Sequence, residues 1–558
     1  MSNSTIWQSF GQRNQSEAFE ELGQDEFRED LPSDLDDKGL LDAKAPRRDF
    51  LKYLGFSTAA ASLAASCEMP VKTAIPFVNK PENVVPGVAN YYATTYVQDG
   101  DVLSVVAKVR DGRPIKIEGN DMNPISGGGT SARVQASVLD LYDTQRLRFP
   151  AQIVEGKAQE IPTFDAFDKA VGEKLAALNG APVVILTSTI TSPSTKKLVG
   201  EFLSKYPGSR HVTYDAVSYS GILTANEATF GQKAIPSYHF DKAKVIVSLG
   251  ADFLGTWLSP VEFAHQYAKG RRIDETNISL SKHYQFESIL SMTGANADER
   301  FTHRPSHEGL VAAALYNLIT GGGVRDVDDK VKAGLEKAAN DLKAAGGNAL
   351  VVSGSNNASV QMVVNAINQA IGAYGNTINW GVTSNYRQGV DADMATLVAD
   401  MNAGRVGALL LVDANPSYDF PAADKFNEGL AKVKLSVSFN SKLDETTQRC
   451  QYVLPAHHYL ESWGDAEPKS GYRSFIQPTI HPLFKTRQWQ DSLLKWSGSD
   501  QDYATYLKEY WIGQLGSQAN WDAALRVGVL FPAEMPVSAG SFNSAAVTNA
   551  LTSIGSLP

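Results

Sequence analysis

Two cysteines in 558 residues, Cys67 and Cys450, are too few for a disulfide scaffold or a four-cysteine zinc site. They are also too few for an iron–sulfur cluster held by thiolates of this chain alone. Positive charge is scarce as well: 51 lysines and arginines stand against 61 acids, a net charge of -10, so there is no overall basic field for nucleic acid. No stretch offers 18 uninterrupted apolar residues, the length a membrane-crossing helix needs. Also missing are a Gly-x-Ser-x-Gly elbow and a zincin signature, and Gly127-Gly128-Gly129 is followed by no Gly-Lys-Ser/Thr. What is present is a composition of 43% hydrophobic and 20% charged residues, which predicts a globular chain of about three domains.

The first 67 residues read as an address. Residues 1–46 are acidic and without sustained hydrophobic period. Arg47-Arg48-Asp49-Phe50-Leu51-Lys52 then precedes a short apolar run, Tyr53 to Ala65, and small residues ending at Cys67. Paired arginines with Phe50 and Leu51 behind them make a twin-arginine export signal. The apolar run, at about 1.5 Å per residue, reaches roughly 20 Å and is too short to cross a hydrocarbon core of about 30 Å. Cys67 is either a lipid acceptor or a chance thiol near the cleavage site; one acyl chain would bind a membrane only marginally.

Past the leader the pattern alternates between strands and helices. Val102 to Gly119 shows β-branched alternation on both sides of Asp111-Gly112, which predicts a hairpin with a two-residue turn. Val183 to Thr187, Val245 to Leu249, Ala349 to Val352 and Ala408 to Val412 are short apolar runs, each ended by small or polar residues. Helical apolar spacing follows the first run at Leu198, Val199, Phe202 and Leu203, and the third at Val360, Val363, Val364, Ile367 and Ile371. Such alternation predicts parallel sheets covered on both faces, in two doubly wound units. Ligands of open sheets sit beyond the carboxyl ends of strands, so Ser188, Gly250, Asp252, Gly354, Ser355, Asn356, Asp413 and Asn415 form the candidate rim.

The histidines do not assemble into a metal motif. His303 and His307 have a helical metal-pair spacing, but Pro305 lies between them, so they read as a loop entering the helix at Glu308. His457 and His458, with Glu461 and Asp465 soon after, could build an acid–base or metal site or a loop over the core. Cys450, beside the strand-like Tyr452-Val453-Leu454, reads as a buried thiol.

Several segments together resemble one family. The hairpin from Val109 to Asn120, Gln135 to Asp143, Gly294 to Arg300 with Arg304-Pro305, and Val453-Leu454-Pro455 with Leu460 to Asp465 resemble the molybdopterin oxidoreductase large subunits. The acidic leader before the twin arginines is similar to the exported, cofactor-poor branch represented by the iron–sulfur B subunit of alternative complex III. Catalytic members carry a cysteine set just before the hairpin, whereas Asn90 to Tyr96 holds none. Ser218, opening Ser218-Tyr219-Ser220-Gly221, falls at the family's molybdenum-ligand position, but without a neighbouring cluster it reads first as a cap of the helix that follows.

The resemblance implies an α/β fold in which a small β-rich domain is followed by two doubly wound parallel-sheet domains. The expected divisions are 1–67 for the leader, 68–150 for the β-rich domain, 151–305 and 306–500 for the α/β units, and 501–558 for a C-terminal segment. It further implies a scaffold subunit of a quinol:electron-acceptor (cytochrome c) oxidoreductase on the periplasmic face of the cytoplasmic membrane, with no catalysis and no cofactor of its own. The 4Fe-4S and 3Fe-4S clusters would then belong to a ferredoxin-like partner or to a further C-terminal half. The other partners would be a quinol-oxidising membrane subunit and c-type cytochromes. Two rival readings remain: a catalytic periplasmic oxidoreductase with molybdenum on Ser218 and a bis-pterin guanine dinucleotide, and a lipid-anchored small-molecule-binding protein.

Overall fold

The computed structural model describes residues 85–554 apart from 86, 99, 274–277, 324–326, 534 and 536. The leader, Arg47, Arg48, Phe50, Leu51 and Cys67 lie outside the described residues.

Three antiparallel strands come first: β1 (Ala89–Gln98), β2 (Asp101–Arg110) and β3 (Arg113–Gly119). The turn between β2 and β3 is the expected one. Asp111 (φ 50°) and Gly112 (φ 75°) both adopt the left-handed conformation that a tight two-residue hairpin turn requires. Helix α1 (Ala132–Asp140) starts where the Ser131 hydroxyl accepts the Val134 N–H and packs Val134 onto Val105, Ala107 and Ile117 of the sheet.

Beyond this the chain builds two parallel sheets. It runs through β4 (Ala151–Val154), β5 (Lys157–Glu160), β6 (Val183–Thr187), α2 (Pro193–Leu203), β7 (Arg210–Thr213), α3 (Ser220–Phe230) and β8 (Ile235–Tyr238). Next come β9 (Val245–Leu249), α4 (Pro260–Gly270), β10 (Lys282–Glu287), β11 (Glu299–Thr302), α5 (Glu308–Thr320), β12 (Ala349–Ser353) and α6 (Ala358–Ile371). The last stretch holds β13 (Ile378–Ser384), β14 (Ala408–Val412), β15 (Leu435–Ser438), β16 (Tyr452–Val453), β17 (Gly464–Lys469), β18 (Tyr472–Ile476), α7 (Tyr503–Leu515) and β19 (Val529–Leu530).

One sheet has the order β5-β4-β16-β15-β14-β6-β7, with β4 and β5 as an antiparallel edge on five parallel strands. A second, β11-β10-β9-β12, is wholly parallel. The third, β19-β18-β17-β13-β8, is antiparallel. The apolar runs read as strands are those central strands, and every residue of β6, β9, β12 and β14 is buried. Their side chains alternate between two cores: Val183 and Ile185 pack with Phe167 and Phe202, while Val184 and Leu186 pack with Leu397 and Phe426.

The sheets do not divide the chain at residues 305 and 306. The seven-stranded sheet joins β6 and β7 to β14, β15 and β16, and the four-stranded sheet is formed by β9 to β12 between them in sequence. The contiguous units expected at 151–305 and 306–500 are therefore replaced by one unit inserted into another. Parallel strands need a crossover connection, and here one crossover is a whole sheet-bearing segment. Nor is the C-terminal segment separate: β19 extends the antiparallel sheet and Ile554 joins the core beneath α6. Among the described residues no helix is long and apolar enough to cross a membrane.

Candidate functional site

Each parallel sheet has one point where the connections leave in opposite directions, and the crevice there is where open α/β sheets hold ligands. In the seven-stranded sheet it lies between β6 and β14; in the four-stranded sheet, between β9 and β12.

The β6/β14 crevice is open. A cavity of ≈ 260 Å³ extends from it, lined by Ser188 and Asp413 of the expected rim together with Gln98, His457, His458 and Gln490. Asp413 takes φ 49°, the left-handed region, just as the chain leaves β14. The wall beyond is held by a buried ion pair: Arg146 Nη2 donates to Glu461 Oε2 at 2.7 Å, and Arg146 Nη1 donates to the Leu141 carbonyl at 2.8 Å. Burial works to raise the Glu461 carboxyl, but Arg146 and the N–H groups of Leu483 and His458 outweigh it and hold it below its usual range.

His457 and His458 face this wall and are pushed down to about 4 by burial, so both are neutral at pH 7. His457 Nδ1 lies 2.6 Å from Thr486 Oγ1, and His458 Nδ1 accepts the Leu460 N–H at 3.3 Å. Both rings have structural partners. Asp465, 2% exposed, accepts from Ser194 Oγ at 2.7 Å, from Trp511 Nε1 at 2.8 Å and from Ser192 Oγ. Burial pushes its carboxyl up, opposed by these hydrogen bonds.

The β9/β12 crevice is filled by the chain's own loops. Gly354 lies against the Gly250 backbone so closely that a Cβ would stand 2.3 Å from the Gly250 carbonyl oxygen, and the Gly354 N–H donates to the Leu249 carbonyl at 3.0 Å. Asp252 is spent on Thr293, accepting its N–H at 2.9 Å and its hydroxyl at 2.8 Å. Ser355 Oγ donates to Glu308 Oε2 at 3.0 Å, and Asn356 Oδ1 accepts the Gly221 N–H at 2.8 Å. Asn415, on the other sheet, accepts the Thr446 N–H at 3.1 Å.

A second cavity, ≈ 320 Å³, lies between the N-terminal sheet and the β17–β18 hairpin. Asp101 bridges two guanidiniums in its wall, Arg133 at 3.1 Å and Arg387 at 3.2 Å, and Arg387 itself takes φ 46°. Lys469 donates to Glu262 in a buried pair beside it. Val217 lines this cavity, but Ser218 turns toward the start of α3, where its hydroxyl accepts the Ser220 N–H at 3.1 Å. Sequence reasoning missed Asp101, Arg146 and Arg387, because a lone charged residue at a strand start or in a connection carries no periodic or spacing signal.

The stretch before the hairpin does not fit a thiolate-held iron–sulfur cluster. Asn90 to Tyr96 lie in β1, paired to β2 along its length, with no thiolate among them. Cys450 is a free buried thiol, pushed up to about 12 by burial. His303 leads into a short turn, its Nδ1 2.8 Å from the Arg304 carbonyl. Among the described residues no group of three or more His, Cys, Asp or Glu could hold a metal.

No family model matches the chain. It is 25% identical over 503 residues to the menaquinone reductase, molybdopterin-binding-like subunit of Nitratidesulfovibrio vulgaris, a match that covers 81% of this chain and 72% of that one. Acetylene hydratase from Pelobacter acetylenicus matches in structure with a TM-score of 0.58 at 12% identity, over 78% of this chain and 74% of that one, a likeness of fold. In sequence and in fold the chain is molybdopterin oxidoreductase-like.

Proposed function

We propose that the chain is an exported scaffold subunit of a membrane-associated quinone or quinol oxidoreductase, of the alternative complex III kind, and carries no redox group itself. Its similarity to a menaquinone reductase subunit supports a place in a respiratory redox assembly with partner subunits. In this reading the partners are a ferredoxin-like iron–sulfur module, c-type cytochromes and a membrane subunit that handles the quinone, and electrons pass through them.

The observation that carries the reading is the filled β9/β12 crevice. Gly354 packed on Gly250 leaves no gap at one of the two strand-end positions, and the loops around it have satisfied their polar groups on one another. Opening that crevice for a ligand would leave those buried groups without partners, which is costly. The thiolate-free β1 and the Ser218 hydroxyl engaged by Ser220 point the same way against the molybdenum-enzyme reading.

The test is to purify the natively exported chain in mild detergent, identify what comes with it, and measure molybdenum, tungsten and iron. A chain free of molybdenum and tungsten that brings down haem and iron–sulfur subunits is the expected result. Stoichiometric molybdenum or tungsten on the isolated chain overturns the reading.

A further inference from the structure

In a doubly wound sheet the helix that follows the strand at the open crevice presents unsatisfied N–H groups and the positive end of its dipole, and a ligand phosphate ordinarily sits there. Here that helix is α2, which follows β6. Its first turn has nothing left to offer. Pro193 has no N–H, the Thr195 N–H goes to Ser192 Oγ at 3.0 Å, and the Ser194 N–H goes to Asp465 Oδ2 at 3.3 Å.

Asp465 comes from β17, far away in sequence, and brings a carboxylate to the helix end. Its two oxygens receive one backbone N–H, two hydroxyls and the Trp511 indole N–H. A phosphate bound at a helix N-terminus takes the same kind of donor set. The site is closed from the other side too: Tyr503 Oη lies 2.7 Å from Ser194 Oγ and 2.8 Å from Thr195 Oγ1. The lining nearest α2 is otherwise neutral, made of Thr191, Gln488 and Gln490.

We infer that the Asp465 carboxylate is a built-in anion standing where a ligand phosphate would bind, so that the β6/β14 crevice rejects phosphorylated ligands at α2. A second anion at that point would meet a buried carboxylate that already holds the Ser194 N–H and the Trp511 indole N–H, which leaves the Thr191 hydroxyl as the one buried donor there without a partner among the described residues. The inference deepens the scaffold reading but rests on the geometry of α2. Phosphate found at α2 would overturn it and leave subunit assembly untouched, whereas a chain without redox partners would overturn the scaffold reading and leave Asp465 in place.

The experiment uses the full chain and its Asp465→Ala variant, each titrated with formate and with inorganic phosphate against chloride at matched ionic strength. The expected result is an anion-specific, saturable rise in the variant's thermal midpoint of about 2 °C or more, with the parent unmoved. A folded variant that responds to formate and phosphate no more than to chloride overturns the inference. Should the alanine variant not fold, the parent decides alone. Calorimetric titration of the parent with guanosine monophosphate and with inorganic phosphate is expected to give no binding. Phosphate binding to the parent that Ser194→Ala weakens overturns the inference.

Discussion

The two crevices at the carboxyl ends of the parallel sheets are built on one topological plan and have opposite contents. Between β6 and β14 the strands end in Thr187 and Val412 and the loops part around a cavity of ≈ 260 Å³. Between β9 and β12 the loops meet backbone to backbone at Gly250 and Gly354. The topology makes a crevice at both places, and the residues after each strand decide whether it stays one. Gly-Ser-Asn after β12 lets the chain come close, while Ser188 and the left-handed Asp413 lead it apart.

Substitutions on each side would sharpen or break this contrast. The largest effect is expected at the wall of the open crevice: Arg146→Met leaves Glu461 buried without its cation and should cost about 3–5 kcal/mol in urea unfolding. Gly354→Ala comes next, at about 3 kcal/mol, because the atoms that its Cβ would strike are backbone and have no rotamer to escape to. A loss under about 0.5 kcal/mol there would mean that the closed crevice can breathe, and the comparison would fail.

An effect of acid should follow in size. His457 and His458 are pushed down to about 4 when folded, against a usual 6.5, so the unfolded chain binds protons first as pH falls. Stability should therefore be full above about pH 7 and decline by about 1 kcal/mol or more between pH 6.5 and 4. Buried His211 and His283, also pushed down to about 4, add to that slope, and His458→Gln should flatten its own share. The smallest change is expected for Ser188→Ala on the open rim, within about 0.5 kcal/mol by the same unfolding measurement.

Much of the fold was legible from local pattern. β6, β9 and β14 match the apolar runs residue for residue, and the Asp111-Gly112 turn was readable from its residue types. These features are set within a dozen residues by burial on both faces and by the left-handed backbone. The nesting of the sheets was not legible, because strand order is decided by pairing between Val183 and Ala408, and nothing near either residue encodes its partner. The site was half legible. The rim residues were named correctly as strand-end positions, but a glycine after a strand looks the same whether it opens a ligand loop or lets two loops touch. Nor does Asp465 announce that it will reach Ser194, since that contact joins β17 to α2 across the fold.

The nesting also has a consequence for how the chain is made. A ribosome releases Val183–Thr187 long before Ala408–Val412, so in the nascent chain β6 has an apolar strand edge waiting for a neighbour not yet synthesised. The inserted sheet, β9 to β12, has all its strands by Ser353 and can form in that interval. Its early closure shortens the loop that β6 and β14 must bridge, and lowers the entropy of bringing them together. Until then the waiting edge is a surface for chaperones to cover.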